Sequence, residues 1–118
     1  MVNYCFALPI LPGGVEHIKK FCQENVDTKE HDEFYQVAGV TREQTWIQRS
    51  PPGSGAPDFE IVSMETNDPS RMFQEFSTST HPWAVKFREY AHKMYAIDLT
   101  GSPPPLNEND VDWEQQRK

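Results

Sequence analysis

Few side chains in this sequence are placed to do chemistry. Four histidines are present: His17, His31, His81 and His92. On one helix His81 and His92 would stand about 16 Å apart at about 1.5 Å per residue, too far to share a metal. His17 and His31 fall on surface turns. No HxH, HxxxH or His–carboxylate pattern has ligand spacing, so no metal site is predicted. Glu60 lies mid-strand on the face of Val62 and Met64. Inside a barrel such a carboxylate has a raised pKa and can act as a base. It can equally pair with Arg42 or Arg49 across a hairpin. His81 stands at a helix start beside Trp83, either at a pocket mouth or in solvent. Glu60 and His81 are therefore the candidate catalytic residues. Gln44, Trp46 and Gln48 share a strand face. A ring flanked by amides suits a small polar ligand that stacks and accepts hydrogen bonds, and it suits equally an interface between two sheets. Tyr4 joins either arrangement, and Trp83 completes the candidate ligand-binding set. Ser63 has no His–Asp partners, so nucleophilic catalysis has no support. The loop SPPGSGAP lacks the strand-to-helix context and the Lys of a phosphate loop, and no cofactor is predicted.

The elements that must position these residues follow from periodicity. The organising stretch is Thr80–Thr100, THPWAVKFREYAHKMYAIDLT. Trp83, Phe87, Tyr90, Ala91 and Met94 line one face of a helix, with Lys86, Arg88, Glu89 and Lys93 off that line. Thr80 is the expected cap and Pro82 fits the first turn. Val2–Leu11 alternates as a strand, with Pro9 near its end. Pro12, Gly13 and Gly14 turn into a helix over Val15–Val26. Asp27 and Thr28 cap a second helical piece ending near Ala38, closed by Gly39. Val40–Arg49 and Phe59–Glu65 form a hairpin across the loop Ser50–Pro57. Asp68-Pro69 opens another helix with Met72, Phe73 and Phe76 inward. After Thr100, Gly101–Pro105 cannot be helical, and an acidic tail carries Leu106, Val111 and Trp113.

The chain of 118 residues suits one domain, read as a ferredoxin-like α+β domain over 1–100 and an extended Pro-rich acidic tail over 101–118. The fold class is α+β, with an antiparallel sheet in the order βαββα and a short strand or docked tail after it. Helices cover one face of such a sheet. Face-to-face pairing of two sheets covers the other, so a homodimer is expected, with the tail docked on the partner protomer. Net charge is −7 with no basic run, which argues against nucleic acid and anionic membrane as partners. Cys5 and Cys22 lack metal spacing, and a chain of this size needs no disulfide scaffold. No leader pattern and no apolar run of membrane length is visible, so a cytoplasmic location is the expectation.

These patterns resemble the dimeric α+β barrel superfamily. The resemblance spans roughly Val2–Thr100 and rests on LPGG after the first strand, on AGVTREQTWIQ, on FEIVSMET and on FREYAHKMYAIDL. Within that superfamily the chain resembles small ferredoxin-like proteins without an assigned role. It is distantly similar to the L-rhamnose mutarotase family, which shares a Pro-Gly turn before its first helix and a long aromatic helix leading into an Asp-, Ser- and Pro-containing tail. Counted from Pro12-Gly13, that family's sugar-handling Tyr and His fall at Ile18 and Cys22, and its tandem tryptophans have Trp83 as a loose counterpart. Neither Ile18 nor Cys22 moves a proton as Tyr or His does, so the resemblance implies a fold more than a sugar chemistry. The expected function is binding of a small polar or aromatic ligand between sheet and helices, with or without catalysis. The alternative is a non-catalytic dimeric module that binds a protein partner.

Overall fold

Alternating burial along the strands organises the molecule. The computed structural model describes residues 2–100 and 105–115. Strands β1 (Val2–Pro9), β2 (Val40–Gln48) and β3 (Phe59–Thr66) form an antiparallel sheet in the order β1-β3-β2. On β3, Glu60, Val62, Met64 and Thr66 are buried, while Phe59, Ile61, Ser63 and Glu65 are half-covered. Side chains on a strand point alternately to opposite faces, so the first set lies under the helices and the second on the open face. Register extends both faces across the sheet. Leu8 and Ile47 flank Glu60, and Glu43 stands beside Met64 on the inner face. Trp46 flanks Ile61, and Gln44 flanks Ser63, on the open face. The ladder slips between Val40 and Arg42. That bulge keeps Val40 inward, buried opposite Thr66, although strict alternation would put it on the outer face with Arg42.

Four helices cover the inner face: α1 (Gly14–Asn25), α2 (Lys29–Ala38), α3 (Pro69–Thr78) and α4 (Pro82–Met94). The molecule is thus an α+β domain with a three-stranded antiparallel sheet and four helices. Capping explains where the helices begin. Thr28 accepts the His31 N–H and Asp68 accepts the Arg71 N–H, each from a non-helical backbone. α2 ends at Gly39, whose φ of 75° is the left-handed geometry glycine adopts without strain. The start of α4 differs from expectation. The cap is His81, whose Nδ1 accepts the Trp83 N–H at 3.1 Å, and not Thr80. Pro82 occupies the first helical position, which leaves the residue before it as the cap.

α1 and α4 pack closely because Gly14 has no side chain. A Cβ there would lie 2.6 Å from the Met94 carbonyl oxygen and 2.7 Å from Ile10 Cγ2. The chain leaving α4 then runs beside the end of β1. Ile10 and Tyr95 make an isolated antiparallel bridge, with Leu11 N–H on Met94 O at 3.0 Å and Ala96 N–H on Pro9 O at 2.9 Å. Leu8, Ile18, Phe21, Phe34, Met72, Trp83 and Met94 are all buried in the core between sheet and helices.

The expectation that Gly101–Pro105 is extended falls, up to residue 104, outside the described residues. Farther on, Asn107 donates from its backbone to Tyr4 Oη and from Nδ2 to Cys5 O, both at 2.8 Å. The tail therefore touches β1 of its own chain. Leu106, Val111 and Trp113 are 41%, 70% and 76% exposed, so Val111 and Trp113 stay largely uncovered. Among the described residues, no helix is long and apolar enough to cross a membrane.

Candidate functional site

Two adjoining cavities lie between the inner sheet face and the helices, of about 100 Å³ and about 210 Å³. They share five lining residues: Tyr35, Glu43, Glu60, Phe87 and Tyr95. Two of these are carboxylates on neighbouring strands, each held by a tyrosine from outside the sheet.

Glu43 reaches the cavity from β2. Tyr35, only eight residues earlier on α2, donates its hydroxyl to Glu43 Oε1 at 2.8 Å. The left-handed Gly39 and the bulge after Val40 reverse the chain between them, so the pair is assembled locally. Burial pushes the Glu43 carboxyl up to about 7, against the Tyr35 hydrogen bond, and nearby Glu60 adds to the rise. Tyr35 itself is held well above the ordinary phenol range by burial and by Glu43.

Glu60 comes from β3 and is 4% exposed. Tyr95, placed by its bridge to Ile10, donates to Glu60 Oε1 at 2.5 Å. Burial raises the Glu60 carboxyl, opposed by that hydrogen bond. Burial and then Glu60 raise Tyr95. Neither arginine proposed as a partner for Glu60 reaches it. Arg42 stands opposite Glu65 on the open face, and Arg49 pairs with Asp58 at 3.3 Å beyond the strand end. Each tyrosine occupies only Oε1, so among the described residues the second oxygen of each carboxylate has no hydrogen bond from the protein.

The remaining walls are mostly aromatic and aliphatic, with Ser77, Thr45 and Cys22 as the uncharged polar exceptions. Trp83 lines the larger cavity. Its ring is stacked between Phe34 at 5.6 Å and Phe87 at 5.5 Å, and its Nε1–H donates to the Asn25 carbonyl at 2.8 Å. Cys22 and Ile18, the positions to which the mutarotase resemblance points, also line this cavity. Cys22 is an exposed residue whose thiol borders the cavity; partial burial, then Glu60 and Glu43, push that thiol upward, so it stays protonated at neutral pH.

The candidates from the sequence divide by sheet face. Glu60 and Trp83 come together in the cavity. His81 is absent from its walls. Its ring caps α4, with Nε2 3.5 Å from Glu33 Oε2. Trp46, Gln44 and Gln48 are on the open face, so Trp46 and Glu60 do not share a site, as the period of two dictates. Tyr4 packs on Phe6 and Phe73 near the smaller cavity without lining it, and meets Asn107. His31 belongs to α2 and not to a turn; its ring lies 4.0 Å from Tyr35, and its Nε2 is buried without a partner. Sequence reasoning passed over Glu43, Tyr35 and Tyr95. A signal existed for Glu43, a lone acid on the same strand face as Thr45 and Ile47. Tyr95 had none, because its place depends on a single bridge after α4. Among the described residues, no group of three or more His, Cys, Asp or Glu is arranged to hold a metal ion. No family model, curated protein or solved structure matches the chain.

Proposed function

We propose that this protein binds a small molecule in the cavity between sheet and helices, with Glu43 and Glu60 as the polar groups that meet it. One observation carries the reading: a buried carboxylate, Glu60, and a half-buried one, Glu43, each fixed by a tyrosine, converge on one largely apolar space. A barrel needing only stability would use Val or Ile at both strand positions, because burying a carboxylate is costly. A carboxyl near pH 7 is also suited to taking or giving a proton, so the site is equipped for acid–base chemistry on its ligand. The sheet order and the bridge at Tyr95 are compatible with a ferredoxin-like unit, and the open face with pairing to a second copy as in dimeric α+β barrels. A mutarotase-like isomerase is supported less, since Ile18 and Cys22 bring no Tyr or His to the cavity.

A second reading, a non-catalytic module for a protein partner, draws on Trp46 and Trp113, 51% and 76% exposed. Amide NMR spectra titrated with neutral aromatic fragments, phenol and indole, separate the two. Cavity binding shifts Tyr35, Thr45, Phe87 and Tyr95. Spectra that stay unchanged there, or that move only around Trp46, overturn it.

A further inference from the structure

The charge pattern of the cavity narrows its ligand. Both carboxylates present acceptor oxygens, and no Lys, Arg or His lines either cavity among the described residues. The other walls are mostly rings and aliphatic groups, with the uncharged Ser77, Thr45 and Cys22 among them, and Tyr35, Phe87 and Tyr95 border both spaces. An anionic ligand would meet two acids and no cation. A neutral one would leave the acids, whenever ionised, without a counter-charge. We propose that the ligand is an organic cation, an ammonium group on a small apolar or aromatic body, seated between Glu43 and Glu60.

The geometry fits this class at three points. Tyr35 and Tyr95 hold Oε1 of each acid and leave Oε2 for the ammonium hydrogens. Aromatic rings attract a cation through their electron-rich faces, so the apolar walls favour the head group as well as the body. The larger space, about 210 Å³, holds a single ring with a one-carbon arm. Binding also has a proton signature. The titratable groups facing the acids are Tyr35 from α2, Cys22 from α1 and Tyr95 after α4, all held in their neutral forms. A cation arriving at neutral pH therefore ionises the protonated fraction of Glu43 and releases that proton to the buffer.

This inference rests on the cavity being a binding site, and the test keeps the two apart. Benzylamine, benzyltrimethylammonium, benzyl alcohol and benzoate are titrated into the full chain by calorimetry in buffers of different ionisation enthalpy. The expected result is binding of the two cations roughly tenfold or more tighter than benzyl alcohol at about pH 8, with the preference shrinking at about pH 5.5. Benzylamine should release protons near neutral pH. Glu43→Gln and Glu60→Gln should weaken the two cations far more than benzyl alcohol, so that much of the preference is lost. Benzyl alcohol or benzoate binding as tightly as benzylamine overturns the cation and leaves the binding site standing. No binding by any of the four, with no amide shift at Tyr35 or Tyr95, overturns both.

Discussion

Glu43 is the residue where burial and proton chemistry meet most directly. Its carboxyl rises from 4.5 to about 7 on folding, so the folded chain binds the proton more tightly than the unfolded chain. The stability that comes with that proton is complete below the unfolded value and is lost as pH rises through about 7. Above that, the charged form costs about 3 kcal/mol, at about 1.4 kcal/mol per pH unit. Glu60 is shifted in the same direction by its burial. Glu43→Gln removes the charge and keeps an oxygen to accept the Tyr35 hydroxyl. Urea melts should therefore show the variant close to wild type at pH 5 and more stable by about 3 kcal/mol at pH 9. A constant difference across that range would mean that Glu43 is ionised and solvated in the folded protein.

At the level of elements, α4 ties the helix layer to the sheet. Trp83 is 2% exposed, sandwiched by two rings and bonded through its indole N–H to Asn25. Trp83→Ala leaves a large void and should cost about 3–5 kcal/mol. Trp83→Phe keeps the stack and frees the Asn25 carbonyl, so it should cost less; equal losses would place the stability outside the stack. Gly14→Ala should also destabilise by about 1–3 kcal/mol, because the Met94 carbonyl in its way is backbone and cannot swing aside. A melting temperature within error of wild type would mean that α1 can slide on α4. These elements were legible because each has a local cause. Alternation marked β3, Asp68-Pro69 marked α3, and the aromatic stripe marked α4. His81 as a cap was not legible, since hydroxyl and carboxylate caps are the common ones and Thr80 stood one residue away. The site was half legible. Glu60 and Trp83 could be found from a strand face and a helix stripe. The Tyr35–Glu43 and Tyr95–Glu60 pairs needed the bulge and the bridge, which no local pattern encodes.

The whole molecule has one covered sheet face and one open face, and its remaining question is what meets the open one. Trp46, at 51% exposure, stands there beside half-covered Ile61, with Ala7 across the same rung of the ladder. An aromatic and a β-branched residue paired on an outer face expose apolar surface that water does not favour. Asn107 pins the tail to β1 of the same chain, yet Val111 and Trp113 stay in the open. Pairing with a second copy would cover the sheet face and offer the tail a place to dock. The proposed dimer therefore has a direct test in Trp46→Glu, which sets a charge at the centre of the face without touching the core. Light scattering at micromolar concentration should give twice 13.7 kDa for the wild type and 13.7 kDa for the variant. The wild-type melting temperature should rise with protein concentration and the variant's should not, because association stabilises only what associates. A wild type of 13.7 kDa, melting at one temperature across a hundredfold dilution series, would show the sheet face to be solvated and the protein to work as a single chain.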